Sequence, residues 1–160
     1  MLWKPVTKVA ATSGSAEGST PLNAFDNALL AAGIGNINLV KISSIIPPAV
    51  DVVHLPPIKP GAIVPTAYAA VTSEVPGEVV TAAVGWALPE NRSRPGVIME
   101  FHDKATRDEA ERIVIRMLEE ALRVRGEGCR EMKVVASEHR VERTGCAVAA
   151  VTLLSDDDLA

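Results

Sequence analysis

The chain has 160 residues, 48% of them apolar and 3% aromatic, with 16 basic against 20 acidic side chains and a formal charge of −4. That is one domain's length, enough to bury a core; so few aromatics argue against a broad stacking surface for nucleic acid, and the charge disfavours a polyanion while mildly suiting a cationic small molecule. No stretch reaches transmembrane length without Gly, Pro or charge, and residues 1–14 hold no apolar run of signal-peptide length, so a soluble, cytoplasmic protein with no membrane partner is expected.

In chain order, Val6 to Thr12 reads as a strand, followed by a loop of small residues from Ser13 to Ser19. Thr20-Pro21 opens a helix, with Thr as N-cap and Pro at the first helical position, and Gly33 ends it. Leu22, Phe25, Leu29 and Leu30 are assigned to its apolar face, and Asp26 falls on or beside that stripe, where a carboxylate needs a partner. Ile37, Leu39 and Ile42 belong to a strand-like run ending in Ser43-Ser44-Ile45-Ile46-Pro47-Pro48, where the double proline takes the chain out of the sheet. Residues 49–60 read as a connecting loop. Strands follow at about 62–73, 78–88 and 96–102, separated by Pro76-Gly77 and by the polar stretch Pro89–Gly96.

The second helix carries the clearest signal. Thr106 and Glu109 form a capping-box pattern, Ala110, Ile113, Val114, Met117, Ala121 and Leu122 form a helical stripe, and Gly126 and Gly128 end it. Strands at about 131–140 and 146–154 precede the acidic tail Asp156-Asp157-Asp158, which reads as a solvated or disordered end. With strands rarely separated by helices, the order predicts an α+β fold with largely antiparallel pairing, in a single domain covering 1–160.

Several familiar chemistries find no support. Gly14-x-x-x-Gly18-Ser19-Thr20 has the wrong spacing for a phosphate loop and lacks its lysine, and Gly33-Ile34-Gly35 is too short for a dinucleotide fingerprint. Cys129 and Cys146 make neither a disulfide framework nor a metal-ligand pair and are expected as small buried apolar residues. His54, His102 and His139 show no metal spacing and read as surface or structural histidines; Glu100 and His102 share a strand face, but two ligands alone make a weak case, and no metal is expected. There is no nucleophile elbow. What is left over is the pair Ser43-Ser44, on its own a plausible turn, and Glu100, a carboxylate that interrupts the apolar strand Val97-Ile98-Met99-Glu100-Phe101.

The segment from Asn36 to Pro48, Asn-Ile-Asn-Leu-Val-Lys-Ile-Ser-Ser-Ile-Ile-Pro-Pro, resembles the self-processing segment of the pyruvoyl-dependent arginine decarboxylases. So do Glu17 to Asp26, Gly33-Ile34-Gly35, Val64 to Tyr68, Val75 to Glu78, Ile98-Met99-Glu100, and Glu138-His139 with Gly145-Cys146-Ala147. These blocks run in order from about residue 9 to 152. Lys41, where arginine is common, Ala69-Ala70 and the acidic C-terminus depart from the pattern, but Asn38, Ser43, Ser44 and Glu100 keep it.

The resemblance implies that Ser44 Oγ attacks the carbonyl carbon of Ser43 to give an ester, that β-elimination leaves dehydroalanine at position 44, and that hydrolysis converts it to a pyruvoyl group with loss of ammonia. The chain is then cut into residues 1–43 and 44–160, the second fragment carrying its cofactor at its own N-terminus without pyridoxal phosphate. The implied reaction is decarboxylation of arginine to agmatine and CO₂, with the ketone serving as electron sink. Glu100 matches the proton donor, a role that requires a carboxyl kept protonated by desolvation. Asn38 matches the residue supporting processing, and Asp26 the carboxylate that binds the guanidinium end, to which it can accept two parallel N–H bonds. An αββα sandwich and a homotrimer with sites between subunits are implied in the same way. Two alternatives stay open: the same mechanism on another basic amino acid, and an unprocessed, non-catalytic trimer that binds small molecules.

Overall fold

The computed structural model describes residues 4–160, which form nine strands, two α-helices and a 3₁₀ turn. Strand β1 spans Lys8–Glu17, helix α1 Pro21–Ala31, β2 Asn38–Lys41, β3 Ile45–Ile46 and β4 Asp51–Val52. Strands β5 (Ile63–Ser73), β6 (Val79–Pro89) and β7 (Gly96–Asp103) precede helix α2 (Arg107–Val124), and β8 (Cys129–Arg140) and β9 (Gly145–Leu154) lead to the turn at Asp156–Asp158. One sheet has the order β2-β5-β9-β1-β4 and the other β3-β7-β6-β8. Pairing is antiparallel except at the two rims of the first sheet, where β2 runs parallel to β5 and β4 parallel to β1.

The two sheets face each other across a layer built from Val9, Ile46, Ala67, Val84, Trp86, Ile98 and Val151. Burying each larger aliphatic side chain there contributes about 1.5–3 kcal/mol. Alternation sends the neighbouring residues to the outer faces, each covered by one helix. Helix α1 lays Ala24, Ala28 and Leu29 on Val148 and Ala150 of β9, and α2 lays Ala110, Val114, Leu118 and Leu122 on Ala83, Ala87 and Val97. The layers are therefore αββα, in agreement with the expected α+β sandwich. The capping box of α2 forms as its sequence suggests: Glu109 N–H donates to the Thr106 hydroxyl and Thr106 N–H to the Glu109 carboxylate.

Five expectations need correction. The small residues after Thr12 are strand rather than loop, because β1 pairs with β9 through to Glu17 opposite Gly145. Their smallness serves packing against α1: a Cβ on Gly14 would lie 2.6 Å from the Ala32 nitrogen. Residues 49–60 are not wholly loop, since Asp51 and Val52 add a short parallel strand beside β1. In α1 the apolar face is carried by Ala24, Ala28 and Leu29 with Phe25 packed beside them, while Leu22 and Leu30 are 74% and 49% exposed. The acidic tail is ordered: Asp158 is buried, accepts from the Ser155 N–H at 2.9 Å, and pairs with Lys4, while Lys8 pairs with Asp156. Cys146 is buried as expected, whereas Cys129 is exposed at the start of β8.

Candidate active site

The serine pair sits where the chain changes sheets. Strand β2 ends at Lys41 on the rim of the first sheet, and Ile42 N–H still donates to the Thr66 carbonyl there at 3.2 Å. Two residues later the chain has joined the second sheet: Ile98 N–H donates to the Ser44 carbonyl at 2.8 Å, and Ile45 and Ile46 pair with Val97 and Gly96. The Ser43–Ser44 bond thus spans the crossing between two sheets, fixed by backbone hydrogen bonds on both sides. Pro47-Pro48 then ends the pairing, since neither residue has an N–H to give. Ser43 is exposed and Ser44 half-buried.

Glu100 lies two residues along β7 from the N–H that holds Ser44, on the same face as Ile98. Its Oε2 is buried without a hydrogen-bond partner, and its Oε1 lies 3.5 Å from Lys41 Nζ. Burial pushes the carboxyl above the usual glutamate range, outweighing the opposing pull of Lys41 and the weaker one of His102. The ammonium of Lys41 also stands 4.8 Å from the centre of the Tyr68 ring, a cation–π distance that steadies it. Tyr68 packs in turn against Phe25 of α1, with ring centres 6.3 Å apart.

The other two candidates stand apart from this cluster. Asn38 starts β2, where its side-chain amide donates to the Gly61 carbonyl at 3.2 Å and its backbone N–H to the Ala62 carbonyl at 2.8 Å. It clamps the strand that delivers Ser43 and makes no hydrogen bond to either serine. Asp26 is exposed on α1, and no hydrogen bond or ion pair among the described residues engages it. It shares one exposed face with Leu22 and Leu30, spaced i−4 and i+4 around it.

His139 is a structural histidine, engaged by the Glu17 carboxylate at the end of β1. The same carboxylate accepts the backbone N–H groups of Glu142, Arg143 and Thr144 at 3.2, 2.7 and 3.1 Å, tying the β8–β9 turn to the end of β1. Burial raises the Glu17 pKa, but the Arg143 N–H, the His139 ring and the Glu142 N–H outweigh it and hold the group below the usual glutamate range. Gly145 leaves the space, since a Cβ there would lie 2.3 Å from Glu17 Oε2.

Lys41, Ile98 and Glu17 are the residues the sequence reading did not single out as functional. Lys41 and Glu100 are unlike charges on strands of different sheets, and nothing in the sequence says that those strands come together.

The residues around Ser44 suit a pyruvoyl group. The carbonyl held by Ile98 N–H is the one the group would keep as its amide, and two residues along the same strand Glu100 keeps one carboxylate oxygen buried without a hydrogen-bond partner.

Comparison with known proteins agrees with this geometry. Residues 8–158 match the family model for pyruvoyl-dependent arginine decarboxylase. A curated pyruvoyl-dependent arginine decarboxylase of Methanocaldococcus jannaschii is 49% identical over 145 residues, covering 91% of this chain and 88% of the relative. Those of Thermococcus sibiricus and Pyrococcus abyssi are each 44% identical, over 96% of this chain and 99% and 98% of their own lengths. With its sheet-crossing serine pair and nearly its whole length matched, the chain belongs to the pyruvoyl-dependent arginine decarboxylase family.

Proposed function

We propose that the chain cuts itself between Ser43 and Ser44, that Ser44 becomes the pyruvoyl group on which its family's arginine decarboxylation depends, and that Glu100 is the proton donor. The observation that carries this reading is the meeting of Ser44 with β7, the strand that bears Glu100: the Ser44 carbonyl is held by Ile98 N–H, and Oε2 of Glu100, two residues along, is buried without a partner. The group's ketone supplies the electron sink for the carbanion left when CO₂ departs. The chain's own residues do the rest. The crossing between sheets holds the Ser43 carbonyl and the Ser44 hydroxyl as sequence neighbours in a backbone pinned at both ends, which removes much of the entropy cost of the attack. Asn38 acts on this step by clamping β2 against the turn at Gly61. Glu100, whose carboxyl burial pushes above the usual glutamate range, delivers its proton to the α-carbon.

Asp26 is proposed to bind the guanidinium of arginine in a site completed by a second chain of a homotrimer. Support comes from the exposed face Leu22–Asp26–Leu30, where a carboxylate with no partner among the described residues is flanked by leucines that are 74% and 49% exposed. A neighbouring subunit over that face buries the leucines and desolvates the carboxylate, which strengthens a bidentate bond to guanidinium. Agmatine release by the purified protein over a panel of basic amino acids tests the substrate. Arginine is expected to be turned over well ahead of lysine, ornithine and histidine; no turnover of arginine overturns the assignment.

A further inference from the structure

Resting on the cleavage read above, one further role can be assigned from charge and geometry. In the uncut chain the Lys41 ammonium lies near both Glu100 and the Tyr68 ring, and its side chain is half exposed, so solvent leaves room for it to turn. Cleavage changes the charges around it. The neutral Ser43–Ser44 peptide and one water become a Ser43 carboxylate and a neutral ketone at position 44, and the Ser44 nitrogen leaves as ammonia, taking a proton with it as ammonium. The site therefore gains one negative charge, on a residue two places beyond Lys41. In extended chain that is roughly 6–7 Å, within reach of a lysine side chain.

We propose that Lys41 is a positioning residue for Glu100 in the uncut chain and that cleavage hands it over to the new carboxylate of Ser43, leaving Glu100 free to act as the acid. The sign does not depend on how far Lys41 moves. Losing a cation beside Glu100 and gaining an anion near it both favour the protonated carboxyl. The charged groups acting on Glu100 are Lys41 from β2 and His102 from its own strand. Val84 and Trp86 of β6 and Ile45 and Ile46 of β3 bring none, and Tyr68 of β5 meets Lys41 through its ring. Self-cleavage on this account makes the electron sink and prepares its proton donor in one event.

The test is the titration of Glu100 followed by carboxyl-carbon NMR, its resonance identified by loss in Glu100→Gln. It is run on mature wild type and on Ser44→Ala, which cannot be cut. Glu100 is expected to titrate at higher pH in the mature protein. Adding Lys41→Met to Ser44→Ala should raise the midpoint of the uncut form toward the mature one, and Lys41→Arg in its place should leave it where Ser44→Ala has it. Intact mass of the wild type separates the two levels of the argument. A wild type that is never cut overturns both the cleavage and the handover. A cut wild type whose Glu100 titrates as in Ser44→Ala, or a Lys41→Met change without effect on the uncut form, overturns the handover alone.

Discussion

Replacing Glu100 by glutamine keeps the shape of the side chain and removes its ability to give a proton. The structure fixes how the amide sits: its oxygen faces the Lys41 ammonium, and its NH₂ takes the buried position where Oε2 has no partner. An orphaned donor there costs about 1 kcal/mol or more, against the removal of a carboxyl whose charged form burial already disfavours. Net stability near neutral pH should therefore change by no more than about 1 kcal/mol. Turnover should respond differently. A positioned general acid contributes about 10²- to 10⁴-fold, equivalent to roughly 3–5 kcal/mol of barrier, so decarboxylation by Glu100→Gln should fall by that factor while the chain is still cut. The pH dependence has a defined sign. A carboxyl with a raised folded-state pKa binds more protons folded than unfolded, so wild-type stability falls as pH rises from about 4 through the folded value. Glu100→Gln lacks that fall and gains on wild type as pH increases. The assays are single-turnover decarboxylation, intact mass, and denaturant melts between pH 4 and 8. Cleaved Glu100→Gln with wild-type turnover would refute the proton-donor role.

Asp26→Asn should raise KM for arginine by at least tenfold and leave cleavage intact, because an exposed helix carboxylate with no internal partner has no bearing on the serine crossing; unchanged KM in steady-state assays contradicts the guanidinium contact. Glu17→Ala removes the acceptor of three backbone N–H groups and the partner of His139, and should cost about 2–4 kcal/mol in denaturant melts at pH 7. Since the Glu17 pKa is lowered on folding, that stabilisation is present above the ordinary glutamate range and fades as pH falls through the folded value; a Glu17→Ala penalty that is as large at pH 3 as at pH 7 contradicts it.

Most of the helices and strands could be read in the sequence because their signals are local, whereas the αββα layering was implied by the family resemblance alone. The capping box at Thr106, the stripe from Ala110 to Leu122 and the continuous apolar runs of β6 and β9 each point to one element. Ser13 to Ala16 were misjudged because small polar residues look like loop until the helix lying on them is known, and that is a long-range fact. The tail failed for the same reason: three aspartates read as solvated, yet Lys4, Lys8 and the Ser155 N–H arrive from elsewhere to hold them. In the site, Ser43, Ser44 and Glu100 stood out through their setting in apolar chain and their family resemblance. The pairing of Lys41 with Glu100 and the hold of Ile98 on Ser44 depend on which strands become neighbours, and composition and spacing carry no record of that.

The most direct test of the central claim is the intact mass of the purified protein beside that of Ser44→Ala. Wild type should resolve into a fragment of residues 1–43 and one of residues 44–160 that begins with a pyruvoyl group and reacts with carbonyl reagents, while Ser44→Ala stays a single chain of 160 residues. Wild-type protein that remains one uncut chain after prolonged incubation, or that turns over arginine without being cut, contradicts the account.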